Sequence, residues 1–181
     1  MSERLKIFLN GMSSAYEKLS RGWETQSAIE CVVLSAAIVD GLLRMGLILK
    51  HQLDTQSTDI DESLLHQRDG DNHTSERTIF NRCRDKDIIS EKLYVKLCDV
   101  YDRRNKCVHR YLISDINYRY ATQLVFDYAN LIDEIRDAVN MIEKEQIRRG
   151  VGMTVNSDIT LTKEFFQAMA REKDRRPNFD G

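Results

Sequence analysis

The stretch YDRRNKCVHRYL, residues 101 to 112, sets Arg104, Asn105 and His109 within six residues of one another. These are the side chains that can cut RNA without a metal. That reaction needs a base for the 2′-hydroxyl, an acid for the departing 5′-oxygen and positive charge beside the phosphorane. Histidine titrates in the range that suits either proton transfer, a role typically worth about 10²–10⁴-fold in rate. His109 is the candidate. Arg104 supplies a planar fork of donors that stays charged at any working pH and fits a phosphate. Asn105, one helical turn before His109, can orient the imidazole or donate to phosphate. One motif histidine per chain does not conveniently serve as both acid and base, so a homodimer presenting two copies is the expected working form. Arg103, Lys106 and Arg110 flank the triad as candidate RNA contacts.

An element must hold these groups. Ser90 can cap a helix in which Leu93, Leu97, Val100 and Tyr101 form an inward stripe, and continuing by three or four residues lands on Arg104, Asn105, Val108 and His109. Polar groups have therefore entered an apolar register. A buried Arg or His is costly unless paired, so the expectation is either pairing with acids such as Asp40 or Glu30, or exposure where the core opens into a cleft. Asp40 itself has two uses, an ion pair with Arg44 one turn later or orientation of His109, and the first is preferred. A lone histidine on such a stripe is more often structural than catalytic. Three polar residues together favour a site.

The loose pattern of Arg, a short gap and His should occur about once by chance in a chain of this composition, and Arg44 with His51 and Arg68 with His73 also fit it. The fuller pattern, Arg-Asn, three residues, His, one residue, Tyr, is expected less than about one time in a thousand, and Arg104 to Tyr111 fits it.

RNKCVHRY resembles the signature of HEPN domains, the higher-eukaryote and prokaryote nucleotide-binding superfamily, in which Arg, commonly followed by a polar residue, precedes a His by four to six positions. An apolar second helix, a helix ending in the Arg-Asn pair and a long helix after the His extend the likeness over roughly residues 3 to 149. The resemblance implies an all-α bundle of four or five helices that usually dimerises with its motifs facing each other. It further implies a metal-independent endoribonuclease acting as a toxin or antiviral effector. A noncatalytic HEPN module that binds nucleotide or protein is the alternative. A Tyr two residues after the His is similar to the toxin of HEPN and minimal-nucleotidyltransferase pairs, which makes Tyr111 the AMP acceptor and a nucleotidyltransferase antitoxin the implied partner. The chain departs from those compact toxins in an acidic segment and in its tail beyond Gly150. A third reading leaves Arg104 and His109 merely tying helices together.

The rest of the chain supplies the frame. Its 181 residues, 41% hydrophobic and 31% charged, suit one core, and a net charge of −2 argues against a globally basic nucleic-acid coat. One proline, Pro177, and no sustained two-residue alternation indicate helices throughout. The first follows Ser2; the second opens at a Ser27/Glu30 capping box; Ser75 starts a short one; Ser114 caps a long one running to about Arg149 and ended by Gly150. The expected division is a helical domain over 1–150 and a tail over 151–181 with an amphipathic segment from Thr162 to about Arg176. Residues 54–76 carry seven acids against one base and read as a mobile acidic loop; its DGDNH run lacks the EF-hand spacing. By contrast, residues 82–119 carry a surplus of four positive charges interleaved with Tyr94, Tyr101, Tyr111 and Tyr118 and followed by Tyr120, rings able to stack on bases or to pack as core. The apolar stretch from Ala28 to Leu49 contains Glu30, Asp40 and Arg44, so it reads as a buried helix and no membrane span is expected. Cys31, Cys83, Cys98 and Cys107 show neither CxxC nor metal-ligand spacing, no signal peptide precedes the first helix, and no cofactor or metal is implied. A reducing cytoplasm fits best.

Overall fold

The computed structural model describes residues 2–66, 74–155 and 159–176. Among them there are six α-helices and no strand: α1 (Glu3–Glu24), α2 (Ala28–Thr55), α3 (Glu76–Asp85), α4 (Glu91–His109), α5 (Tyr118–Arg149) and α6 (Ile159–Asp174), with 3-10 turns at Glu62–Leu64, Tyr111–Ile113 and Met153–Val155. The chain is an all-α bundle.

Helix starts follow the side chains that can accept from free backbone amides. The hydroxyls of Ser2, Ser75 and Ser90 accept from Leu5, Thr78 and Leu93, so α1, α3 and α4 begin where the sequence indicates. Two expected caps differ. Ser27 makes no capping hydrogen bond, and the Ser27/Glu30 box does not form; the chain reaches α2 through Gln26 in a left-handed conformation, which leaves Ser27 outside the usual capping geometry. Nor does Ser114 cap α5. A 3-10 turn at Tyr111–Ile113 intervenes, the Ser114 hydroxyl donates to the Arg110 carbonyl at 2.7 Å, and Asn117 caps the helix by accepting from Tyr120. At the far end Gly150 takes φ +66°, the left-handed conformation that closes α5 and that a glycine adopts without steric cost.

α2 is the centre of the bundle, with α5 packed along it and α1, α3 and α4 around it. Ile38, Leu43 and Leu47 of α2 meet Leu124, Ile132 and Ile135 of α5 in a core where each is essentially closed to solvent. Burying each such side chain stabilises by about 1.5–3 kcal/mol. Length and composition alone would let α2 cross a membrane, yet 67% of its most apolar window is buried inside the bundle.

α6 packs on α1 and joins the same core through Ala168 and Met169. A buried polar tie fixes it: Glu172, 0% exposed, accepts from the Trp23 indole at 3.0 Å and pairs with Arg176, which also reaches Asp133 of α5 at 2.8 Å. Parts of the acidic segment are likewise built in. The Gln52 amide donates to the carbonyls of Thr58 and Asp59, Arg4 pairs with Glu62, and Leu64 is buried. The acidic loop expected over 54–76 is thus tied to the bundle along its described N-terminal part, while its DGDNH run and the Arg68 and His73 pair fall within residues 67–73, which lie outside the described residues.

Candidate functional site

The motif occupies the last two turns of α4. Ser90 fixes the start of that helix, and Leu93, Leu97 and Val100 bury its first face, as the spacing predicts. Past Tyr101 the register differs from expectation. Cys107 takes the inward position and is fully closed, whereas Val108 and His109 are exposed. At about 100° per residue, five steps from Arg104 rotate His109 by about 140° around the helix, so the two cannot share one buried stripe. Arg104 faces in and His109 faces out.

Arg104 is held on several sides. Its side chain is 16% exposed; its Nη2 donates to the Glu76 carboxylate at the first turn of α3, and its guanidinium lies 4.9 Å from the Tyr101 ring centre. This corrects the expected partner, since neither Asp40 nor Glu30 pairs with it and Glu30 is exposed. Asp40 instead accepts from Arg44 Nε at 2.6 Å, as preferred, and Arg44 also donates to the Leu64 carbonyl at 3.2 Å. Asp40 therefore does not orient His109. Two buried polar atoms here lack a hydrogen bond among the described residues, Arg104 Nε and Asp40 Oδ1.

The electrostatics show a crowded, partly dry cluster. Burial raises the Glu76 carboxyl above its ordinary range; Arg104 and Arg44 pull it back, while Asp40 pushes it further up. Burial pushes the Tyr128 phenol up to about 12, opposed by Arg104 beside it. The guanidinium fork of Arg104 is thus already engaged by protein groups.

His109 lies in the open, its imidazole making no hydrogen bond or ion pair to another described residue. Asn105, half-buried one turn earlier on nearly the same face, is also without one. Lys106 and Arg110 are exposed beside them and carry no ion pair among the described residues. Arg103 differs: it bonds to Asp127 of α5 at 2.7 Å and to Asp99 at 3.3 Å, and it stacks on Tyr120. Immediately after the helix come Leu112 and Ile113, 93% and 82% exposed, with Tyr111 at 38%. Two large apolar side chains thus stand almost fully in water just past the helix end.

The fold also redraws the charge pattern. The surplus over residues 82–119 is offset by Asp61, Glu76, Asp127 and Glu134, all from outside that stretch, which pair with Arg82, Arg104, Arg103 and Lys96. Lys86, Lys92, Lys106, Arg110 and Arg119 remain exposed without an ion pair to another described residue, and of these Lys106 and Arg110 stand beside His109. The tyrosines sort similarly: Tyr94 donates to Asn81, Tyr101 meets Phe80 edge-on and Tyr118 donates to the Gln26 carbonyl. Tyr111 keeps a ring and hydroxyl with no such contact among the described residues. Sequence reasoning missed Glu76, which it counted among loop acids; its place directly after the capping Ser75 marks a helix start, but nothing local marks the pairing. The chain matches no family model, and no curated protein or solved structure matches it.

Proposed function

We propose that this protein is a metal-independent endoribonuclease, a toxin or defence effector of the HEPN kind, whose active form brings two copies of the α4 terminus together. The observation that carries the reading is the placement of His109: solvent-open on the last turn of α4, bordered by the unpaired cations Lys106 and Arg110 and by the bare apolar pair Leu112 and Ile113. An apolar lip beside a histidine supports pairing with a second copy, and pairing supplies the second imidazole that the chemistry requires.

In such a dimer one His109 removes the 2′-hydroxyl proton as O2′ attacks phosphorus. The P–O5′ bond then breaks, the other copy's imidazolium protonates O5′, and the products are a 2′,3′-cyclic phosphate and a 5′-hydroxyl. Lys106 and Arg110 hold neighbouring phosphates. Arg104 stabilises the phosphorane charge once its fork turns from Glu76 to the substrate.

One contact favours a second reading, a noncatalytic HEPN module that binds nucleotide or protein: Glu76 occupies the Arg104 fork, and Arg104 is mostly closed to solvent. The two readings part on strand scission. Purified protein is incubated with mixed cellular RNA in excess EDTA beside its His109→Ala form, and fragment ends are examined. Cyclic phosphate ends from the parent alone are expected. Intact RNA in both, with folded protein of unmodified mass, refutes the nuclease reading.

A further inference from the structure

A cavity of about 500 Å³ lies between α1, α2, α5 and α6, inside the ~300–1,000 Å³ range of small-molecule sites. None of its lining residues belongs to α3 or α4, so it is separate from the Arg104 and His109 region. Leu5, Leu9, Leu42, Leu49 and Phe165 give it apolar walls. Four of the chain's six methionines, Met12, Met45, Met153 and Met169, face it as well. Unbranched thioether side chains adjust to differently shaped guests, and their concentration at one cavity is the pattern of an adaptable binding surface.

The charged residues of the lining are unequal. Arg136 pairs with Asp133, Glu62 pairs with Arg4, and Asp59 lies exposed at the rim. Glu143, two turns beyond Arg136 on α5, is half-buried in the wall and has no hydrogen bond or ion pair to another described residue. Burial raises its carboxyl above the ordinary range, with no neighbouring cation opposing it. A carboxylate facing apolar walls without a counter-charge is costly, and an incoming ammonium offsets that cost. An anionic guest would bring a second negative charge beside Glu143, Glu62 and Asp59.

We propose that this cavity binds a small apolar cation, an alkyl or aryl amine, with its hydrocarbon body among the methionines and leucines and its ammonium against Glu143. The test is calorimetric titration of the full chain with three probes of matched length, octylamine, 1-octanol and octanoate. Octylamine is expected to saturate one site at least about tenfold more tightly than octanoate, because only the amine meets Glu143 with opposite charge. Glu143→Gln, checked for an unchanged melting curve, is expected to weaken octylamine about tenfold and to leave 1-octanol as before. The proposal is overturned if none of the probes saturates, if octanoate binds as tightly as octylamine, or if Glu143→Gln retains the full preference for the amine. The ranking of the three probes on the parent chain tests it even if the variant folds poorly.

Discussion

Removing either partner of the Arg104 and Glu76 pair should destabilise the fold, but only one of the two losses should depend on pH. Glu76→Ala strands a guanidinium whose Nε already lacks a hydrogen bond. Arginine cannot shed its charge, so the variant should lose about 1–3 kcal/mol at every pH. At about 2–4 °C per kcal/mol for a chain of this size, that is a fall of roughly 2–12 °C in Tm. Arg104→Ala instead strands a carboxylate, which can escape by taking up a proton. Burial and Asp40 already raise the folded-state affinity of Glu76 for a proton, and loss of Arg104 removes its largest opposing influence. In the variant the folded pKa lies still further above the unfolded value. Stability is then fully present below the unfolded pKa, near 4.5, and is lost as pH rises through the folded pKa. Relative to the parent, Arg104→Ala should therefore differ little in its charge penalty near pH 4 and fall progressively behind towards pH 7. Thermal melts of the parent, both single variants and the double variant across that range measure the effect, and the double-mutant cycle isolates the pair. A penalty for Arg104→Ala that stays flat with pH, or a coupling below about 0.3 kcal/mol, would refute the reasoning.

Two further outcomes concern the α4 terminus. Replacing Leu112 and Ile113 together by Asp should leave Tm within about 0.5 kcal/mol equivalent, because both side chains stand in water, while sedimentation shows loss of the dimer and RNA cleavage disappears with it. A dimer that survives the change removes the apolar lip from the mechanism. Tyr111, with its hydroxyl unengaged in the 3-10 turn after His109, should gain the mass of one AMP when incubated with ATP and a minimal nucleotidyltransferase partner, pyrophosphate leaving as the phenolic oxygen bonds to the α-phosphorus. Unchanged mass of the parent, or equal gain by Tyr111→Phe, defeats that assignment.

What the sequence makes legible is chiefly local. Ser2, Ser75 and Ser90 cap helices because a hydroxyl three residues before an open amide needs only a short segment of chain to act. The helical class follows in the same way from periodicity and from the near absence of proline. Ser27 and Ser114 show where local rules give way: a left-handed Gln26 and an interposed 3-10 turn change the backbone that each serine would have capped. The candidate site divides similarly. Spacing alone picks out Arg104, Asn105 and His109 and leaves open whether each is paired or exposed; the fold pairs Arg104 with Glu76 and leaves His109 exposed. Glu76 lies 28 residues from Arg104 along the chain, and no periodicity connects positions on separate helices. Glu143 is hidden for a related reason. An acid on a long charged helix looks solvated until the fold places it in the wall of a cavity.

The tie between Trp23 and Glu172 spans 149 residues, and that span has a meaning in time. During synthesis at about 5–20 residues per second, α6 emerges roughly 7–30 s after α1. Throughout that interval the Trp23 indole lacks its acceptor, and the flank of Tyr16 that meets Phe165 lies bare. The nascent bundle therefore carries an adhesive face until α6 arrives, and a ribosome stalled before Glu172 would leave a chain suited to capture by a chaperone.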